Sequence, residues 1–359
     1  MAFGLFKKKK KKESSPSDTL TTTINQVIKE TADAVSVVFD LPELDYKAGQ
    51  FITIVQEVNG KKIRRAYSLC SAKSVDQLPA VAVKRVEGGQ MSNFINDHFQ
   101  AGQKVEIMPP MGNFTLDKAQ DANQIVLFGG GSGITPLLSI AKTALYTSDK
   151  RVFLLYANRN EDSIIFKNSL KQLEAEYKGR FTVVHSLDNP LGEWSGLSGF
   201  LTKEAIENTL KSNDINIHEA ISYTCGPEPL MNLVIDSLDQ LGVASEMRFK
   251  ESFVASTDTS VASSDSSSGE HEVKVIMDGE EHVYAVSGKK SILETGLDLG
   301  IDLPYSCQSG LCTACRGKVQ SGKVHMTEAD GLTQEEIDEG YVLCCVGHPK
   351  SDDVVIEIG

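Results

Sequence analysis

From Leu20 to about Leu116, apolar and polar residues alternate in short runs, the period-two pattern of half-buried strands. Strands are predicted at Thr21–Val27, Ala34–Phe39, Gln50–Val55, Ile63–Ser68, Ala80–Lys84 and Lys104–Met108, with turn chemistry between them at Asn59-Gly60, Gly88-Gly89 and Pro109-Pro110. Even spacing predicts a closed antiparallel β-barrel, interrupted by one helix near Met91–His98. From Asn123 the rhythm changes. Short apolar runs at Ile125–Phe128, Val152–Tyr156, Phe181–His185 and Ile221–Thr224 alternate with helical periodicity at Pro136–Tyr146, Ser163–Tyr177, Lys203–Leu210 and Pro227–Leu241. That order predicts βαβ units, hence an α/β domain on a parallel sheet.

The stretch Ser256 to Gly269 has almost nothing to bury and reads as a flexible tether. Beyond it, Glu272–Met277 and His282–Val286 predict a hairpin around Asp278-Gly279. Ser291…Glu294 and Thr333…Glu336 are capping boxes that start two short helices, so this last unit is α+β. The chain therefore divides into a Lys-rich tail (1–18), a barrel (19–118), an α/β domain (119–253), a Ser-rich linker (254–270) and a small C-terminal domain (271–359).

Composition narrows the function. A net charge of −13 argues against nucleic acid as a partner, because phosphate binding needs a basic face. No apolar run is long enough to span a bilayer, and the N-terminal order, apolar residues before Lys7–Lys12, is the reverse of a secretory signal. A cytoplasmic protein is expected. The lysine run reads as a solvated tail or as a weak contact with anionic lipid, with Phe3, Leu5 and Phe6 dipping in.

Of seven cysteines, five crowd into the C-terminal domain, which in a reducing compartment reads as metal ligation. Cys307-x4-Cys312-x2-Cys315, with 29 residues before Cys345, is the plant-type [2Fe–2S] spacing. Gly310 and the small residues Ser309, Thr313 and Ala314 leave room for a cluster. A structural zinc site is the alternative, and the four-residue gap after Cys307 does not match its usual CxxC pairs. Cys344 and Cys345 compete for the fourth place. If they lie on a strand they face opposite ways and only one can ligate.

Upstream, Arg65-Ala66-Tyr67-Ser68 ends a predicted strand. Tyrosine suits stacking on a flat ring, arginine a phosphate, and serine the ring's reactive edge. Lys84 to Ser92 leads a glycine turn into a helix, whose N-terminus is a ready pyrophosphate site. Gly129-Gly130-Gly131-Ser132-Gly133-Ile134-Thr135-Pro136 follows a strand and opens a helix, letting backbone approach a second pyrophosphate. Thr224-Cys225-Gly226-Pro227-Glu228-Pro229-Leu230-Met231 ends the last parallel strand, so Cys225 would face a ligand there.

These motifs, in this order, resemble the ferredoxin–NADP reductase superfamily. With the C-terminal cysteine pattern, the chain from about Thr21 resembles the reductase components of oxygenases of the phenylacetyl-CoA epoxidase kind. The resemblance implies a β-grasp ferredoxin domain and an electron path from NADH or NADPH through FAD to a [2Fe–2S] cluster. It places Arg65, Tyr67 and Ser68 on the flavin, Gly89, Met91 and Ser92 at its pyrophosphate, and Gly131, Gly133 and Thr135 at the nicotinamide dinucleotide. Cys225 would lie beside the nicotinamide, and Glu251 and Phe253 near the flavin. The segment Tyr341-Val342-Leu343-Cys344-Cys345 is similar to a ferredoxin pattern that ends on the ligand, which implies Cys345. Ser68, Cys225 and Glu251 are the implied catalytic set.

NADPH-preferring relatives often carry Ser-Arg where this chain has Leu187-Asp188, and a carboxylate there repels a 2′-phosphate. Asp188 thus reads toward NADH, while Arg159 leaves NADPH open. The expected partner is an oxygenase or another one-electron acceptor protein. The C-terminal domain holds 16 acidic against 7 basic residues, and Glu335, Glu336, Asp338 and Glu339 form either a docking face or a solvated one. A general reductase with several acceptors, or a non-catalytic electron carrier, are the alternatives.

Overall fold

A computed structural model describes residues 19–119, 122–253, 269–277, 279–327 and 329–358. The Lys7–Lys12 run, the stretch 254–268 and Asp278 of the expected hairpin turn lie outside the described residues.

The first unit contains β1 (Leu20–Thr31), β2 (Ala34–Phe39), β3 (Phe51–Val58), β4 (Lys61–Ser68), β5 (Ala80–Lys84), α1 (Gln90–His98) and β6 (Lys104–Met111). Its antiparallel strands run in the order β4-β3-β6-β1-β2-β5. The sheet curls until its ends meet: Leu69 bridges Val81, and the Cys70 N–H donates to the Ala80 carbonyl at 2.9 Å. Inward-pointing Ile24, Val37, Phe39, Ile52, Ile54, Val83 and Ile107 fill the barrel, and Met91 and Ile95 of α1 plug it.

The second unit contains β7 (Gln124–Gly130), α2 (Ile134–Thr147), β8 (Arg151–Asn158), α3 (Lys167–Glu176), β9 (Phe181–Leu187), β10 (Leu197–Ser198), α4 (Lys203–Ser212), β11 (Ala220–Cys225), α5 (Glu228–Gln240) and β12 (Arg248–Glu251). All six strands are parallel, in the order β10-β9-β8-β7-β11-β12. Alternate residues of β8 sort to the two faces: Leu154 and Tyr156 pack with α2 and α3, Phe153 and Leu155 with α4 and α5. Both faces are covered, which is why these strands read as unbroken apolar runs.

The third unit contains β13 (Glu270–Met277), β14 (Glu280–Ser287), α6 (Ile292–Asp298), β15 (Arg316–Ser321), β16 (Val324–Met326), α7 (Gln334–Asp338), β17 (Tyr341–Leu343), β18 (Gly347–Pro349) and β19 (Val354–Ile358). A mixed five-stranded sheet, β14-β13-β19-β15-β17, carries its own core. Thr333 makes the full reciprocal capping box with Glu336, whereas Ser291 makes only the half in which its side chain accepts from the Glu294 N–H. Among the described residues no helix is long and apolar enough to cross a membrane.

Barrel and parallel sheet form a continuous body, since Cys70, Ala82 and Phe114 share a core with Ile125, Leu137 and Tyr223. Polar locks reinforce it: Ser139 Oγ donates to the Ser71 carbonyl at 2.6 Å, Tyr223 OH to the Thr115 carbonyl at 2.9 Å, and Lys142 Nζ pairs with Asp76 at 2.5 Å. The third unit touches that body through a much smaller cluster: Phe51, Ala66 and Met111 against Cys307, Leu311, Cys312 and Ala314.

Candidate functional site

The three units meet where β4, β11 and β12 end. Ser68, the last residue of β4, donates from Oγ to Glu251 Oε2 at 3.2 Å. Glu251 ends β12 and lies opposite Cys225 in the parallel register. All three are buried. Burial pushes the Glu251 carboxyl up to about 8, the Ser68 hydrogen bond works against that, and Cys307 and Asp330 of the third unit add to it. Burial, with Glu251 beside it, also pushes the Cys225 thiol well up, so it is a neutral apolar surface rather than a thiolate. Arg65 and Tyr67 share one face of β4, as the period of two requires; Arg65 is exposed and Tyr67 half-buried. Burial raises the Tyr67 phenol far above its ordinary range.

On the barrel's rim, Gly88 adopts φ 71° and Gly89 caps α1 in extended conformation without any side-chain cap, so the helix presents bare backbone donors. A Cβ on Gly89 would lie 2.6 Å from Ser92 Oγ, which accepts from the Val86 N–H at 3.1 Å. Ser92 therefore holds the turn, and the Met91 side chain belongs to the barrel core. What these two positions offer an anion is their backbone N–H.

Across the junction, β7 runs into the glycine loop. Gly131 takes φ 52°, and a Cβ at Gly133 would stand 2.1 Å from the Cys225 carbonyl oxygen. Only glycine lets the start of α2 lie against the Cys225–Pro227 turn. Thr135 is buried and donates to the Ser132 carbonyl at 3.0 Å, tying the loop's second half. Arg159 and Asp188 follow β8 and β9 at the same carboxyl edge; the Asp188 N–H donates to the Asn158 carbonyl and the Asn189 N–H to that of Arg159. Neither side chain has an ion-pair partner among the described residues. Burial raises the Asp188 carboxyl. Phe253 is 42% exposed, beyond β12.

Two features escaped the sequence reading. Lys84, at the end of β5, brings its ammonium to 3.8 Å from where a Gly131 Cβ would be, so a barrel cation faces the glycine loop of the parallel sheet. The Asn158 amide is buried, and neither its oxygen nor its nitrogen is hydrogen-bonded among the described residues. Such a group is costly unless something else satisfies it, and it sits at the sheet edge where a dinucleotide fits.

In the third unit, the loop from Tyr305 to Cys315 wraps its own cysteines. Cys307, Cys312, Cys315 and Cys345 are each at most 6% exposed. The Cys307 thiol lies close to those of Cys312 and Cys345, and the Cys345 thiol also lies close to that of Cys315. The Ser309 N–H points at Cys307 Sγ from 3.4 Å, and Gly310 takes φ 75° to make the wrap. Cys344 and Cys345 lie in the turn after β17, not on a strand, so the expected alternation is not what separates them. Reach does: the Cys345 thiol lies close to those of Cys307 and Cys315, while the Cys344 N–H donates to the Cys315 carbonyl and its carbonyl accepts from the Leu293 N–H. Four soft sulfur donors in pairs, with backbone N–H support, fit a two-iron cluster. The glycine rims on both sides of the buried Ser68–Glu251 pair fit a flavin and a dinucleotide.

Known proteins carry the same three parts in the same order. Residues 21–116 match the oxidoreductase FAD-binding domain family, 127–236 the oxidoreductase NAD-binding domain family and 275–350 the 2Fe-2S iron-sulfur cluster binding domain family. The ferredoxin reductase component of 3-ketosteroid-9-alpha-monooxygenase from Rhodococcus rhodochrous is 36% identical, covering 95% of this chain and 97% of its own. The chain belongs to this family of iron–sulfur flavoprotein reductases. A component of 1,2-phenylacetyl-CoA epoxidase from Escherichia coli K12 is 32% identical over 93% of the chain and 96% of its own. The solved phthalate dioxygenase reductase superposes with a TM-score of 0.63 at 25% identity, covering 95% of this chain and 98% of that one. The reductase is an NAD(P)H-dependent oxidoreductase that carries FAD and a [2Fe–2S] cluster.

Proposed function

We propose that the reductase takes hydride from NADH and delivers single electrons to a partner oxygenase, with boundaries near 119, 254 and 271 separating its flavin, dinucleotide, linker and ferredoxin parts. The observation that carries this reading is the meeting of Ser68, Cys225, Glu251 and the Cys307 loop at one junction. The flavin, when bound, accepts two electrons together and releases them one at a time, which matches a hydride donor to a one-electron cluster.

The chain's own residues do the rest. Tyr67 offers a flat face and Arg65 a cation for the flavin's ring and phosphate end; the backbone of Gly89, Met91 and Ser92 receives the pyrophosphate. Gly131, Gly133 and Thr135 shape the dinucleotide loop. Neutral Cys225 supplies an apolar wall for the nicotinamide. Near neutral pH Glu251 keeps its proton, and with Ser68 it holds that proton where negative charge arrives with the hydride. Phe253 lies beyond this set as an aromatic flank. Cys307, Cys312, Cys315 and Cys345 would hold the cluster, with Cys307 and Cys312 on the side that packs against the barrel. Asp188 accepts a ribose hydroxyl and disfavours a 2′-phosphate, with Arg159 beside it on the solvent side. The relatives act with different oxygenases, on ketosteroid, phenylacetyl-CoA and glycine betaine. The final substrate accordingly belongs to the partner.

Anaerobic mixing of the purified protein with NADH tests the proposal. Flavin absorbance should bleach first and [2Fe–2S] absorbance second, and an added oxygenase should restore the latter. A cluster that stays oxidised after the flavin is reduced would contradict it.

A further inference from the structure

The third unit rests on the barrel through a contact that none of the cofactor-binding roles requires. Thr53 on β3 and Ser306, next to Cys307, share a hydrogen bond of 2.5 Å although 253 positions separate them. Thr53 is 0% and Ser306 1% exposed. Beside them Arg64 lies over the Tyr305 ring, 4.7 Å from its centroid, and donates to the Tyr305 carbonyl at 3.3 Å. Arg65 donates to Gln308 Oε1 at 3.0 Å, and Gln308 is held in the left-handed region at φ 59°. Every one of these contacts joins β3 or β4, the strands that present the flavin motif, to the residues immediately flanking Cys307.

We infer that Thr53 and Ser306 are positioning residues for electron transfer, a hydroxyl latch, supported by Arg64 on Tyr305, that seats the cluster loop against the flavin barrel and can release it. This rests on the functional reading above. Its physical basis is the asymmetry of hydroxyl burial. Docked, the two hydroxyls hydrogen-bond each other out of water; undocked, both are satisfied by water. The latch therefore gives register without a large apolar area to separate, as suits an interface that opens and closes. Register matters because each hydride brings two electrons and the cluster takes one. Transfer across this contact would therefore occur twice for every NADH, and each time it needs the loop seated against the barrel.

Removing one hydroxyl leaves the other buried without a partner, whereas removing both leaves no orphan. Thr53→Val and Ser306→Ala should each slow flavin-to-cluster transfer about tenfold in stopped flow. The double variant should transfer faster than the product of the two single effects allows. Hydrogen–deuterium exchange of the 305–311 segment in the oxidised resting protein should quicken in both single variants and fall back in the double one. Thr53→Ser keeps the hydroxyl and should behave as wild type. Arg64→Leu, outside the barrel core, should also slow transfer and quicken exchange, which keeps the test open if Thr53→Val loses FAD. Wild-type transfer and exchange in both single variants, or single effects that multiply without recovery in the double, would overturn the latch. Bleaching of the flavin by NADH should be unchanged throughout, and failure of that step in the wild type would count against the functional reading instead.

Discussion

Ser68 and Glu251, 183 positions apart, meet at 3.2 Å where the barrel and the parallel sheet share a boundary, and their hydrogen bond joins the flavin motif to the last strand of the dinucleotide domain. That carboxyl has left water altogether, and its proton is correspondingly hard to remove.

The pH dependence follows from this. Burial raises the Glu251 carboxyl from 4.5 to about 8, so between those values the folded protein binds a proton that the unfolded chain does not. Its contribution to stability is complete below the lower value and is lost as pH rises through the upper one. Thermal unfolding should show wild type losing ground to Glu251→Gln between pH 5 and pH 8.5. The rate of NADH-driven flavin reduction should fall with an apparent pKa near 8 in wild type, and this step should be absent from Glu251→Gln. Parallel pH profiles for the two proteins would remove Glu251 from the mechanism.

Gly133 predicts a packing effect. An added methyl would meet the Cys225 carbonyl at 2.1 Å and the Gly226 nitrogen at 2.7 Å, both backbone atoms that cannot swing away. Gly133→Ala should cost about 1–3 kcal/mol, as overpacked cores do, and raise KM for NADH. Gly192, which faces open space, supplies the control: Gly192→Ala should stay within about 0.5 kcal/mol of wild type. Equal denaturation midpoints for the two variants would show that the loop has more room than its backbone allows.

For the cluster, wild type should contain FAD and two irons per chain, by acid extraction and metal analysis. Cys345→Ser should lose the iron yet still reduce a small artificial acceptor from its flavin. Cys344→Ser should keep the iron, since it is the Cys345 thiol that lies close to those of Cys307 and Cys315. Iron lost from Cys344→Ser and kept by Cys345→Ser would reverse the assignment.

The proposed role of Asp188 places nicotinamide choice at the edge of β9. Steady-state kinetics should give a higher kcat/KM for NADH than for NADPH, and Asp188→Ser should narrow the gap by about tenfold, the effect of removing one opposed charge near a phosphate. A wild-type preference for NADPH would instead point to Arg159.

Much of this architecture is legible in one dimension. Period-two alternation marked every strand of the barrel, and apolar runs broken by helices marked β7, β8, β9 and β11, because strand and helix periodicities are local properties of the chain. The cysteine spacing and the glycine loop are local too: ligands on one tight turn, and a backbone approach that only glycine allows, need no distant partner to be recognised. β12 was missed because it is four residues long and half exposed, and takes its place by pairing with β11. Nor could spacing show that Cys344 and Cys345 leave their strand for a turn, that Lys84 crosses from the barrel to Gly131, or that Glu251 is sealed from water. The Thr53–Ser306 contact is the extreme case. Neither hydroxyl stands in a recognisable pattern, and only the docking of two separately folded units, which buries both at once, turns them into partners. Local chemistry determined which cofactors this chain can hold; tertiary burial, by excluding water from groups far apart in sequence, decided how those groups are charged and how the cofactors are brought together.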